Sequence, residues 1–135
     1  MPKICKMIKV ICPTRIDFTG GFTDVLPFRA TQWVNHVNLA IDLVIEVKLK
    51  QRNDGLIYIE DKGNSMAVEA SSINEIDNRF SLIKAALRKF TVEGNINVII
   101  DSKAPIGVGL GTSGALSVAL IVALTTFTNQ VLPKY

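Results

Sequence analysis

Residues 103–116 read KAPIGVGLGTSGAL, and the fold turns on how this stretch is read. Gly107, Gly109 and Gly111 alternate, Thr112 and Ser113 follow, and an apolar run begins directly behind them. Glycine accepts left-handed backbone and lets the main chain approach a ligand without a Cβ clash. The free N–H groups in the first turn of a helix then face the ligand, and the helix dipole favours negative charge there. A hydroxyl at the same point can reach a phosphate or a magnesium ion. The stretch predicts a phosphate-binding loop that opens a buried helix over 112–128, and hence a nucleotide ligand. The distribution of charge agrees. Asp101 is the last acidic residue, and beyond it only Lys103 and Lys134 are charged. Burial of the segment accounts for much of this, and an acid-free segment also suits an anion.

On the N-terminal side of the loop, Asn95–Asp101 (NINVIID) reads as a strand that leads into it. Before that strand, Ser72 and Glu75 form an S-x-x-E capping box, and Ile76, Phe80, Ile83, Leu87 and Phe90 recur at helical spacing. Glu75 and Arg79 are an i,i+4 pair on the solvent side. Leu39–Lys50 contains a strict alternation, with Ile45, Val47 and Leu49 on one face, which predicts a half-buried strand. Asn53-Asp54-Gly55 is a hairpin signal, and Leu56–Glu60 pairs back. Lys62-Gly63-Asn64 turns the chain again before a strand at Met66–Ala70. Met7–Cys12 is a strand that Pro13 is expected to end, with a polar loop after it. Strands, helix, strand and helix in this order predict an α+β layer architecture, with the glycine loop and its helix on one side of a mixed sheet.

The composition bounds the function. A chain of 135 residues, 48% hydrophobic and 20% charged, is one globular domain. A net charge of +3 suits a small anion and is too weak to argue for nucleic acid. Cys5 and Cys12 lie seven apart with no His/Cys cluster, so neither metal nor redox chemistry is indicated and reduced thiols are expected. No signal peptide pattern opens the chain, and the apolar run Ala115–Leu124 is too short to span a bilayer. A soluble, cytoplasmic protein with no nucleic-acid or membrane partner is expected.

Several glycine motifs compete for the loop. A Walker loop needs a lysine before the hydroxyl residue, and none precedes Thr112 or Ser113. Gly109–Gly114 matches the dinucleotide fingerprint G-x-G-x-x-G. That motif also wants an acid about 20 residues later and glycines tight behind the strand, and both are missing. A plain glycine turn before a core helix remains open. The remaining pattern is Pro105-Ile106-Gly107-Val108-Gly109-Leu110-Gly111-Thr112-Ser113-Gly114-Ala115. It resembles the nucleotide loop of the GHMP kinases, which include galactokinase and the homoserine, mevalonate and phosphomevalonate kinases. Thr112 stands where serine is commoner and Gly114 where alanine is, and both are small.

A second stretch, Pro13-Thr14-Arg15-Ile16-Asp17-Phe18-Thr19-Gly20-Gly21-Phe22-Thr23-Asp24, resembles the first motif of the sugar-directed members. Its Gly-Gly-aromatic-Thr-Asp form is similar to the fucokinase and heptose 7-phosphate kinase branch, as is Asn38-Leu39-Ala40-Ile41-Asp42. The resemblance implies a ribosomal-protein-S5-domain-2-like fold, with ATP and Mg2+ as cofactors and a sugar-type small molecule as partner. Asp24 would bind sugar hydroxyls, within a substrate segment that includes Gly21 and Thr23. Arg15 would act at the transferred phosphoryl group. Pro105, Gly107, Gly109, Leu110, Gly111, Thr112 and Ser113 would hold ATP, with Ser113 also at the metal.

Simpler roles stand beside these: a turn-capping Asp24, a surface ion pair for Arg15, and packing for Trp33. Asp17 reads as a structural hydrogen-bonder, and His36 as structural or exposed. Family members carry a metal-binding Glu and a catalytic Asp further along, and nothing acidic follows Asp101 here. Residues 1–135 are therefore expected to be the N-terminal, ATP-binding domain of such a kinase, without its C-terminal domain and inactive alone. A non-catalytic nucleotide-binding module and a structural or RNA-associated protein of the same fold are the alternatives.

Overall fold

The computed structural model describes residues 7–21, 26, 33, 35–105 and 107–130. Five strands form one mixed sheet in the order β1-β2-β5-β3-β4, with β1 Met7–Thr19, β2 Val37–Gln51, β3 Ile57–Asp61, β4 Met66–Ala70 and β5 Ile96–Ser102. β1/β2, β2/β5 and β3/β4 are antiparallel, and β3/β5 is parallel. Two helices, α1 Ser81–Lys89 and α2 Thr112–Thr128, pack against one another, and α2 lies against β1 and β2. This is the expected mixed sheet with the glycine loop and its helix on one side.

Alternation builds the core. Ile45, Val47 and Leu49 on β2, Ile57 and Ile59 on β3, and Ile96, Val98 and Ile100 on β5 are all buried. They meet Ile83 and Leu87 of α1 and Ala119, Leu120, Ala123 and Leu124 of α2 in one cluster. The alternate positions carry Glu46, Lys48 and Lys50, so the outer face of the sheet is polar. Glu46 pairs across the strands with Lys9 and along its own strand with Lys48.

Three expectations are corrected. The helix does not begin at Ser72. Two 3₁₀ turns, Ile73–Glu75 and Asn78–Phe80, precede α1. Glu75 reaches back to the N–H and hydroxyl of Ser71, one residue earlier than the capping box implied. Asp77 caps the second turn by accepting from Arg79 N–H at 2.8 Å, and its carboxylate also takes the Arg79 guanidinium, so the expected Glu75–Arg79 pair does not form. The apolar spacing survives this, because Ile76, Phe80, Ile83, Leu87 and Phe90 are all buried.

Pro13 does not end β1 either. β1 is an edge strand, where a missing N–H costs no ladder bond, and the strand runs on to Thr19. Finally, α2 is apolar all round, but among the described residues only the sheet and α1 cover it. Val118, Ile121 and Val122 stay about half exposed on the side away from the sheet. Among the described residues no helix is long and apolar enough to cross a membrane.

The polar face yields a prediction. The Lys48 ammonium, helped by Lys9, holds the Glu46 carboxyl down at about 2, below its ordinary 4.5. A depressed carboxyl contributes stability above its unfolded value that is lost as pH falls through the folded one. Glu46→Gln should therefore lower the urea midpoint at pH 7 and flatten its decline between pH 4.5 and 2. An unchanged acid limb in the variant contradicts the pairing.

Candidate phosphate-binding site

The site begins where β5 ends. Lys103 N–H still donates to the Val44 carbonyl at 3.1 Å, which carries the pairing with β2 one residue past the strand. The Ser102 hydroxyl donates to the Ala104 carbonyl at 3.0 Å and bends the chain. Opposite, Lys62 N–H donates to the Ile100 carbonyl at 2.9 Å, and this lays the β3–β4 turn against the end of β5. Gly63, Asn64, Ser102, Lys103, Ala104 and Pro105 line the recess between them.

Beyond Pro105 the glycines do what their alternation suggests. Gly107, Gly109 and Gly111 have φ of +76°, +77° and +67°, the left-handed region that disfavours side chains. Gly111 is the N-cap of α2, and no side chain caps this end. The first intrahelical bond runs from Ala115 N–H to the Gly111 carbonyl at 3.0 Å. The N–H groups of the preceding turn have no intrahelical acceptor, and these are the groups that bind anions at helix starts. Ser113 is exposed in that turn and Thr112 is half-buried.

Arg15 comes to this helix start from the other end of the chain. Its N–H donates to the Leu110 carbonyl at 3.0 Å, so the loop is bonded to β1 through the main chain. Its side chain lies across Gly111, where a Cβ would sit 3.4 Å from Nη1. Asp17 accepts from Arg15 Nε at 3.1 Å and holds the guanidinium, in the structural role expected of it. The surface ion pair considered for Arg15 is thus present, and it places the arginine at the loop. The Arg15 guanidinium lies beside the helix N-terminus, paired with the Asp17 carboxylate, and puts a cation where the helix dipole also favours an anion.

The remaining residues divide. Gly21 follows β1 with φ +45°, where the Thr19 hydroxyl donates to the Asn35 carbonyl at 3.1 Å. His36 is exposed and lies against Gly20, whose missing Cβ leaves room for the ring. Trp33 is fully exposed, which corrects the expectation of packing. Thr23 and Asp24 lie outside the described residues. Sequence reasoning missed two features. Asn64 lines the recess, although Lys62-Gly63-Asn64 read only as a turn. Thr14 is a buried hydroxyl whose neighbours in sequence gave no sign of it.

A glycine loop opening a helix beside a mixed sheet, with an arginine across the helix start, makes a candidate phosphate site on an α+β domain. Comparison with known proteins makes this specific. Residues 79–135 match the family described as the GHMP kinases N terminal domain. The bifunctional fucokinase/GDP-fucose pyrophosphorylase of Arabidopsis thaliana is 30% identical over 90% of this chain, and the mevalonate kinase of Methanocaldococcus jannaschii is 28% identical over 87%. The chain spans 13% and 40% of the lengths of these two relatives. The crystal structure of a D-glycero-D-manno-heptose 1-phosphate kinase from Bacteroides thetaiotaomicron superposes with a TM-score of 0.82 at 25% identity, over 94% of this chain and 44% of that one. Through residues 79–135 the chain is similar to the N-terminal domain of the GHMP kinases.

The glycine geometry makes a prediction. Nothing lies within 4 Å of a Cβ at Gly109, whereas one at Gly111 meets Arg15. Gly109→Ala should cost about 1 kcal/mol from backbone strain alone. Gly111→Ala should cost about the same, because its Cβ would meet the Arg15 guanidinium only at a van der Waals distance of 3.4 Å. A much larger loss at Gly111 in chemical denaturation would contradict this packing.

Proposed function

We propose that this chain is the ATP-binding part of a kinase that phosphorylates a sugar or sugar phosphate. Residues 1–135 would form its N-terminal domain, and the reaction would need further protein to complete the site. The observation that carries this reading is the meeting of two separate motifs at one point: Arg15, from the N-terminal motif, bonds Leu110 and crosses Gly111 of the glycine loop.

The chemistry builds on that point. Phosphoryl transfer is catalysed mainly by positioning and by stabilising charge on the moving group. The N–H groups at the start of α2 would hold the phosphates, with Gly107, Gly109, Leu110, Gly111 and Thr112 shaping the cradle. The recess from Gly63 to Pro105 adjoins the loop and would take the base. Arg15 would steady charge on the transferred phosphoryl group. Ser113 fits a magnesium role in part. It offers an exposed hydroxyl at the helix start, and among the described residues no group of three or more His, Cys, Asp or Glu side chains could hold a metal ion. Magnesium keeps several waters and binds with substrate phosphates, so it would arrive with the nucleotide and supply charge neutralisation there. Gly21, Thr23 and Asp24 would meet the sugar, with the Asp24 carboxylate accepting from its hydroxyls. The sugar class rests on the N-terminal motif and on the fucokinase and heptose kinase among the proteins this chain is similar to.

Calorimetric titration of the chain with MgATP tests the reading. The chain should bind, and Arg15→Gln and Ser113→Ala should each weaken binding about 10-fold, near 1.4 kcal/mol. Binding that neither substitution alters, or no binding at all, contradicts it. Incubation with fucose or galactose and MgATP should give no product, and metal-dependent transfer by this chain alone would overturn the need for further protein.

A further inference from the structure

Thr14 is buried to 1% exposure, and among the described residues it is the one buried polar side chain. Its hydroxyl donates to the Leu43 carbonyl at 2.8 Å. That carbonyl is available because the β1/β2 register breaks there. Pro13 stands opposite Val44, but Thr14 stands opposite Ile41, so Asp42 and Leu43 have no partners on β1. A bulge of this kind bends its strand and re-aims the neighbouring side chains. The residue next to Thr14 is Arg15, whose N–H leaves for the Leu110 carbonyl and whose side chain crosses Gly111. The Thr14 hydroxyl is buried, and a buried donor left unpaired is costly, so its bond to Leu43 fixes where the bulge sits.

We propose that Thr14 is a positioning residue for the phosphate loop: its hydroxyl locks the two-residue bulge of β2, and the locked bulge presents Arg15 to Leu110 and Gly111. The inference rests on the loop being the nucleotide site, but its mechanical part stands without any ligand. The side chain of Thr14 need not touch the nucleotide. It acts through Arg15.

Thr14→Val keeps the shape and removes the donor, and Thr14→Ser keeps the donor and removes the methyl. Amide hydrogen exchange of the ligand-free chain reads the result. In Thr14→Val the Arg15 amide should lose at least about 10-fold in protection, and residues 107–114 should exchange faster. Val98 on β5 and Leu87 on α1 should keep their protection. Thr14→Ser should exchange like the unaltered chain at all of these amides. Unchanged protection at Arg15 in Thr14→Val overturns the proposal, and so does a uniform loss across the core, which marks mere structural support. Should Thr14→Val not fold, Thr14→Ser still decides, because lost protection at Arg15 there assigns the role to the methyl group. MgATP titration of the same proteins separates this inference from the nucleotide reading. If the unaltered chain binds and Thr14→Val binds about 5-fold more weakly, both stand. If the unaltered chain does not bind, the nucleotide reading falls while the exchange data still decide the role of Thr14.

Discussion

One main-chain hydrogen bond, from Arg15 N–H to the Leu110 carbonyl at 3.0 Å, holds the site together. It joins the edge strand of the sheet to a loop of left-handed glycines, and it does so at the start of a 17-residue helix. A glycine loop by itself carries a large conformational entropy and has little to hold it. Bonded to β1, and crossed by the Arg15 side chain at Gly111, the loop is seated beside α2 with its first-turn N–H groups facing outward. The Arg15–Asp17 pair then sets the guanidinium direction, and the bulge at Asp42 and Leu43 sets the strand from which it comes.

This arrangement explains why the charge pattern of the chain matters more than its sum. A net charge of +3 is ordinary. The distribution is not, because the helix start, Arg15 and Lys103 share one end of the sheet, while several carboxylates elsewhere are bound to cations of their own. Glu46 is taken by Lys9 and Lys48 on the outer face. Asp54 and Glu69 are taken by Arg52 at the β2–β3 turn, where Arg52 also reaches Asn97. At the loop Asp17 pairs with Arg15, and the helix start, which no side chain caps, still suits an anion. The similarity to GHMP kinases agrees with that, while the chain spans only 13% to 44% of the proteins it matches above, so substrate choice belongs to the proposal.

Much of the fold was legible because period-2 and period-3.6 patterns are local. Ile45, Val47 and Leu49 declared β2, and the apolar run after Ser113 declared α2. The losses came where tertiary context overrules local signals. Pro13 reads as a terminator unless the strand is known to be an edge. Ser72 and Glu75 match a capping box, but Glu75 bonds Ser71 because the chain makes two 3₁₀ turns before α1. The exposed side of α2 could not be read either, since apolar composition does not say which neighbours a helix finds. For the site, the glycine loop and Arg15 were visible as separate motifs. Their contact was not, because it depends on a two-residue register shift and on one threonine hydroxyl.

If Arg15 and residues 107–115 form a single anion site, they must respond to one ligand together. Amide chemical shifts followed by NMR during titration with MgATP decide this. The largest changes should fall together on Arg15 and on Gly107 to Ala115, with one saturation curve, while amides of β4 and the Arg52 turn stay still. Changes confined to the loop with Arg15 silent, or centred on the Arg52 cluster, would contradict a shared site.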